Sequence, residues 1–216
     1  MSGDDPREGL VDAAVLDELP GLRLRWALVA VEGGHKTPRG LRLRLEDVST
    51  RFRGANAIQL RTRPVPHAYR VFFRQVGLDP DVERTPVEQL AVERLIRGEL
   101  HTGDRFTDAL VLGLLETGVP IVAFDEAALE GEVTLRAARA GETLPAEGGY
   151  AHDVPRGRLV LADGAGPVAV LFGRRSSAHG PHRRTAAVRL VAIAVPGVPE
   201  VHVDEALWLA AEGLGR

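Results

Sequence analysis

The sequence predicts an α+β fold, with mixed sheets and packed helices. Helical patterns gather in the middle of the chain, over residues 85–98 and 107–118. Strand patterns then follow one another over residues 132–144, 157–172 and 185–195. This succession lacks the βαβ rhythm that a parallel sheet would require.

Each element rests on a local signal. Residues 1–10, "MSGDDPREGL", are polar and acidic and read as a tail that frays. "VDAAVLDELPG" reads as a short helix closed by Pro20 and Gly21. "LRLRWALVAVE", residues 22–32, alternates and then turns continuously apolar, as a strand entering a core does. "GGHKTPRG" is a loop by its glycine and proline content. "LRLRLEDVS", residues 41–49, fits either a half-buried strand or a helix running on to Phe52. "TPVEQLAVERLIRG" carries a complete helix signature. Thr85 caps it, Pro86 suits its first position and Glu88 completes a capping box. Val87, Leu90, Ala91 and Leu95 share one face, and Gly98 stops the run. "TDALVLGLLETG" is apolar on nearly every side, which predicts a helix buried between layers. Gly118 and Pro120 end it, and "IVAF" follows as a buried strand. "DGAGP", residues 163–167, is a hairpin turn. Residues 203–213 form a closing amphipathic helix with Asp204 as its cap.

Composition narrows the function classes. The chain has 216 residues, 44% of them hydrophobic, enough for one sizeable core and a single domain over 1–216. It contains no cysteine, which excludes disulfides and thiolate metal sites. No apolar run is long enough to span a bilayer, and the N-terminus lacks the basic and apolar regions of a signal peptide. A cytoplasmic location is the resulting expectation, without a membrane partner. The net charge is −3, yet one stretch is strongly basic: "FGRRSSAHGPHRRT", residues 172–185. Lys36 is the single lysine among 27 basic residues, so coding bias explains part of the arginine content.

The usual chemistries find little support. Neither G-x-x-x-x-G-K-S/T nor G-x-G-x-x-G after a strand occurs. His179 and His182 have a metal-ligand spacing, but Gly180 and Pro181 between them rule out a helix, so no metal or cofactor is expected. Ser176 or Ser177 beside His179 suggests a nucleophile and base, but no third triad member is evident and G-x-S-x-G is missing. Asp104, Asp108 and Asp125 surround the apolar helix, and Asp108 suits a stabilising role at its N-terminus. Arg174, Arg175, Arg183 and Arg184 suit either phosphate contacts or a solvated loop.

The order of several motifs is more specific. "TDALVLGLLETGVPIVAFD" precedes "EGEVTLRAARAGETL" and "GRLVLAD", and these precede "VAVLFGRRSS" and "RRTAAVRLVAIAV". This order resembles the tRNA-editing (B3/B4) domain of the phenylalanyl-tRNA synthetase beta chain, above all its free-standing versions. The resemblance covers roughly residues 65–195. That leaves 11–64 as an N-terminal elaboration. Asp108, Pro120 and Ala123–Asp125 match the helix, the turn and the "AFD" strand. Gly131, Arg136, Ala137, Gly141 and Glu142 match the next two segments. Ala162 and Asp163 end the "VxAD" strand, and Gly173, Ser177 and Thr185 match a glycine loop with its later threonine.

The resemblance implies a mixed fold and a tRNA partner. It also implies trans-editing: hydrolysis of a mischarged aminoacyl-tRNA ester by a positioned water, with no catalytic side chain assigned. Val111, Val122, Phe124, Gly173, Ser177 and Thr185 would then line the substrate pocket, and the four arginines would meet RNA. The chain departs from the family at Val111, Leu114 and Val122, where polar residues are usual, and at Arg175, where an acid is usual. Each apolar exchange removes a hydrogen-bonding group from the pocket. Two alternatives follow: a non-catalytic RNA-binding module, and a small-ligand protein with a greasier pocket on the same fold.

Overall fold

A computed structural model describes residues 5–51, 60–98, 100 and 102–215. Strands β1 (Arg7–Glu8), β3 (Arg23–Ala30), β4 (Ile121–Asp125) and β10 (Ala187–Ala194) form an antiparallel sheet in the order β1-β3-β10-β4. The central pair β3 and β10 is matched from Ala187 opposite Ala30 to Ala194 opposite Arg23. Alternation along β3 turns Arg25, Ala27 and Val29 to one face and Leu24, Trp26 and Leu28 to the other. A second sheet has the order β2-β5-β8-β9, from β2 (Leu10–Val11), β5 (Thr134–Ala137), β8 (Leu159–Ala162) and β9 (Pro167–Val170). Its β2–β5 pair is parallel and its other pairs are antiparallel, so the fold is α+β with mixed pairing, as expected. Strands β6 (Thr143–Pro145) and β7 (Ala151–Asp153) make a separate hairpin.

The N-terminal expectation needs correction. Residues 7–8 and 10–11 are strands rather than a frayed tail, and each pair joins a different sheet. Gly9 makes the passage: a Cβ there would lie 2.6 Å from Leu24 Cδ2, and its N–H donates to the Leu24 carbonyl at 2.8 Å. Backbone pairing holds this segment, so side-chain hydropathy carried no trace of it.

Helix α1 (Ala13–Glu18) starts at Asp12, whose carboxylate accepts the Ala14 N–H at 2.9 Å. Residues 39–50 resolve in favour of a helix, α2 (Arg39–Thr50), which buries Leu41, Leu45 and Val48 on one face. Phe52 lies outside the described residues. Helix α3 (Pro64–Gln75) was not anticipated, although Pro64 and Pro66 suit a first helical turn. It buries Tyr69, Phe72 and Phe73, and Tyr69 donates to the Ile193 carbonyl at 2.7 Å. Helix α4 (Pro86–Arg97) keeps its predicted start: Glu88 accepts from the Thr85 N–H at 3.2 Å. Val87 and Ala91 are buried, whereas the Leu95 side chain lies outside those described.

Helices α5 (Arg105–Thr117) and α6 (Glu200–Gly215) pack on each other more closely than ordinary side chains allow. A Cβ on Gly113 would stand 2.9 Å from the Ala206 carbonyl oxygen, and one on Gly213 would stand 2.9 Å from Ala109 Cβ. Arg105 is buried and its Nε donates to the Gly213 carbonyl at 3.0 Å, near the negative end of α6. Burial pushes its guanidinium below the usual value. Asp204 does not cap α6. The helix begins a turn earlier, and Asp204 instead accepts from Arg25 Nη2 of β3 at 2.9 Å. An ion pair to the sheet has claimed the residue that looked like a cap.

Two outcomes test this packing. Gly113→Val should lower the unfolding free energy by about 1–3 kcal/mol through overpacking, seen as a lower denaturant midpoint. By contrast Gly40→Ala, in a helix and with open space around it, should raise stability by about 0.5–1 kcal/mol. A second test concerns Glu142, held between the Arg136 guanidinium at 2.8 Å and the Arg139 N–H at 2.7 Å. The hydrogen bond from Arg136 draws its carboxyl below the ordinary value. A depressed carboxylate stabilises the fold above its unfolded value, about pH 4.3, and loses that contribution as pH falls further. Thermal midpoints of Glu142→Gln should therefore converge on those of wild type as pH drops below about 4.

Candidate functional site

Strand β4 ends its sheet, and the loop of residues 172–185 folds over it. The loop leaves β9 through a tight reversal. Val170 N–H donates to the Arg174 carbonyl at 2.8 Å, and Gly173 N–H donates to the Val170 carbonyl at 2.9 Å. Phe172 sits at this reversal with φ of 55°, a conformation that costs a bulky side chain energy. Its ring stacks on Phe73 at 5.5 Å and meets Tyr69 and Phe72 edge-on, so α3 holds the strained turn in place.

Beyond the turn, Arg175 Nη1 donates to the Ala123 carbonyl of β4 at 2.8 Å. Its guanidinium lies against Gly180, where a Cβ would come within 2.6 Å of Nη2. Burial of the head group pushes it below its usual value, and the nearby Asp104 pulls in the other direction. The loop's far end is fastened to the same strand. Thr185 Oγ1 donates to Asp125 Oδ2 at 2.9 Å, and both residues are buried. Thr185 Oγ1 also accepts the His182 N–H at 2.9 Å. His182 Nε2 lies 3.3 Å from Asp125 Oδ2, while its Nδ1 accepts the Arg184 N–H at 3.1 Å.

The serine and histidine readings take definite form. His179 Nδ1 lies 2.9 Å from Ser176 Oγ, and its Nε2 lies 3.8 Å from Asp163 Oδ2. Asp163 supplies the third member that the sequence did not reveal, because it comes from the β8–β9 turn. The ring nitrogens are exchanged relative to the protease triad, and Ser176 has no exposed surface. Asp163 also accepts the N–H groups of Glu130, Ala165 and Gly166. The trio therefore ties the loop to the hairpin turn. His179 and His182 bond to different carboxylates, and no group of three metal-donor side chains converges among the described residues.

The acids around α5 divide their roles. Asp104 is the cap, accepting the Thr107 N–H at 2.9 Å. Asp108 is fully buried and accepts from the Thr102 N–H and Oγ1, each at 2.8 Å, and from the Thr37 hydroxyl. It lies in the first turn of α5, as expected, and also binds two loops together, because Thr37 comes from the segment before α2. The structure places Val111 on α5 and Val122 and Phe124 on β4, with Phe124 fully buried and Val122 partly exposed. Gly173 and Ser177 are exposed on the loop, as are Arg183 and Arg184. Arg174 is exposed and bonds to His152 at 2.8 Å. Sequence reasoning passed over Phe172 and His152, since neither a positive φ nor a contact between segments leaves a local pattern.

Comparison with known proteins gives a consistent set of matches. The B3/4 domain family model matches residues 68–198. The phenylalanine–tRNA ligase beta subunit of Thiobacillus denitrificans is 39% identical over 90 residues, covering 42% of this chain and 11% of that protein. The same subunit of Chromobacterium violaceum is 39% identical over 77 residues, covering 36% and 10%. The aligned parts thus span about a tenth of these relatives' length. A crystallised N-terminal fragment of the phenylalanyl-tRNA synthetase beta-subunit from Pyrococcus horikoshii superposes with a TM-score of 0.45 at 14% identity, covering 96% of this chain and 52% of that chain.

The Asp125–Thr185 bond gives a direct prediction. Thr185→Val keeps the volume but leaves a buried carboxylate oxygen without its hydroxyl, at a cost of about 1–3 kcal/mol. Amide exchange should speed up across residues 176–185 while the β3–β10 pair stays protected.

Proposed function

Because the chain belongs to the B3/4 domain family, we propose that it acts on tRNA, hydrolysing the aminoacyl ester of a mischarged tRNA in trans. The carrying observation is the 172–185 loop. It presents Arg183 and Arg184, exposed and unpaired with any carboxylate among the described residues, next to the Asp125, His182 and Thr185 cluster. The names of the relatives, phenylalanine–tRNA ligase beta subunits, support the choice of tRNA.

In this reading Arg183 and Arg184 meet phosphates, and Arg174 and Arg175 add to them with the donors left over from His152 and Ala123. Val111 and Val122 supply the apolar side of the pocket, while Phe124, fully buried, belongs to the core. Gly173 and Ser177 form its rim, and Thr185 holds the wall to β4. A water, rather than Ser176, attacks the ester, since Ser176 is sealed from solvent.

One observation favours a second reading, an RNA-binding module without chemistry. His182 already accepts the Arg184 N–H on its Nδ1, and His179 Nδ1 faces Ser176, which is sealed from solvent, so neither lone pair is free for an attacking water.

Deacylation of a panel of mischarged tRNAs separates the two. Release of amino acid from at least one tRNA is the expected result, and no release from any would leave binding alone. Both readings require tRNA affinity that weakens steeply with salt. Arg183→Ala and Arg184→Ala should each lower the salt slope by about 1. Binding that ignores salt would sink both.

A further inference from the structure

A recess of about 410 Å³ opens between the β6–β7 hairpin and the turn after β9. Leu144, Val154 and Val170 give it an apolar floor, and Arg174, His152 and Asp153 stand around it. Arg70, Arg136 and Arg189 each pair with carboxylates. Arg174 pairs instead with an imidazole, Nη1 to Nε2 at 2.8 Å, and with no carboxylate among the described residues. Nε2 of His152 accepts from the guanidinium, which orients Arg174 at the mouth of the recess and leaves its remaining N–H groups for a phosphate.

An exposed aromatic residue precedes His152 on the same hairpin. Tyr150 is 76% exposed, the most exposed large aromatic among the described residues. Its backbone is extended, at φ −77° and ψ 165°, and it lies two residues before His152. Alternation therefore puts Tyr150 and His152 on the same side of the hairpin and Asp153 on the other. One ring edge approaches Gly148, where a Cβ would lie 3.3 Å from Tyr150 Cε2. A side chain there would crowd the ring, and glycine leaves it room.

We propose that this recess binds a nucleotide of single-stranded RNA. Arg174, oriented by His152, holds its phosphate and Tyr150 stacks on a base, the combination of cation and aromatic platform that single strands require. The proposal rests on the tRNA reading only for the choice of RNA as partner. The recess shares Arg174 with the basic row of the loop and adds the hairpin residues His152 and Tyr150.

The test is fluorescence anisotropy with a labelled single-stranded RNA hexanucleotide, run beside tRNA on the same proteins. All substitutions are at exposed positions, and unchanged thermal midpoints would confirm folding. Arg174→Ala and Tyr150→Ala should each weaken hexanucleotide binding about tenfold. Tyr150→Phe should bind as wild type. Absence of hexanucleotide binding, or binding equal to wild type in both alanine variants, overturns the proposal. Loss of hexanucleotide affinity only in Arg183→Ala/Arg184→Ala also overturns it, while leaving the tRNA reading intact. Hexanucleotide binding through Arg174 with no binding of tRNA supports the recess and defeats the tRNA reading.

Discussion

The exposed edge of β4 is the constraint around which the site is built. An edge strand offers unpaired backbone groups to any passing strand and must be covered. Here the cover is the 172–185 loop, fixed at one end by Arg175 on the Ala123 carbonyl and at the other by Thr185 on Asp125. Both anchors use groups that water would otherwise satisfy, so the loop holds its place by hydrogen bonds more than by apolar contact. Its course also demands Phe172 at a positive φ. The aromatic cluster with Tyr69, Phe72 and Phe73 offsets that strain and links α3 to the site.

Helices α5 and α6 give β4 its rigid backing. Glycine at 113 and 213 lets the two helices approach closely, and Arg105 closes the end of α6 from inside. Asp108, at the other side of α5, gathers the segments of Thr37 and Thr102. Residues that look catalytic in isolation are thus spent on joining segments. The same holds for Ser176, His179 and Asp163, which have the composition of a triad and the burial of a structural knot. What stays available to a partner is the outer row of the loop, Arg183, Arg184, Gly173 and Ser177, together with Arg174 and the hairpin beside it.

Legibility from sequence followed the range of each interaction. Helix α4 could be read because capping box, proline and glycine act within one turn. The β8–β9 hairpin could be read because "DGAGP" makes its own turn, with Asp163 bonding two and three residues ahead. Family resemblance was legible in the order of motifs, and the match over residues 68–198 agrees with it. Helix α3 went unread because its prolines, which act locally as breakers, are harmless in a first turn. Strands β1 and β2 went unread because their partners are other strands, and two-residue segments carry no period.

The sequence by itself determined the α+β class, the main helices and strands, the family, and the basic loop as the place to look. These follow from short-range propensity and from the apolar period, both written along the chain. Only the tertiary structure decided what the polar residues do. It gave Asp204 to Arg25, Asp108 to two threonines, Arg175 to a β4 carbonyl and Asp163 to His179. A polar side chain forms whichever hydrogen bond or ion pair the fold brings within about 3 Å, and that partner is set by packing between segments far apart in sequence.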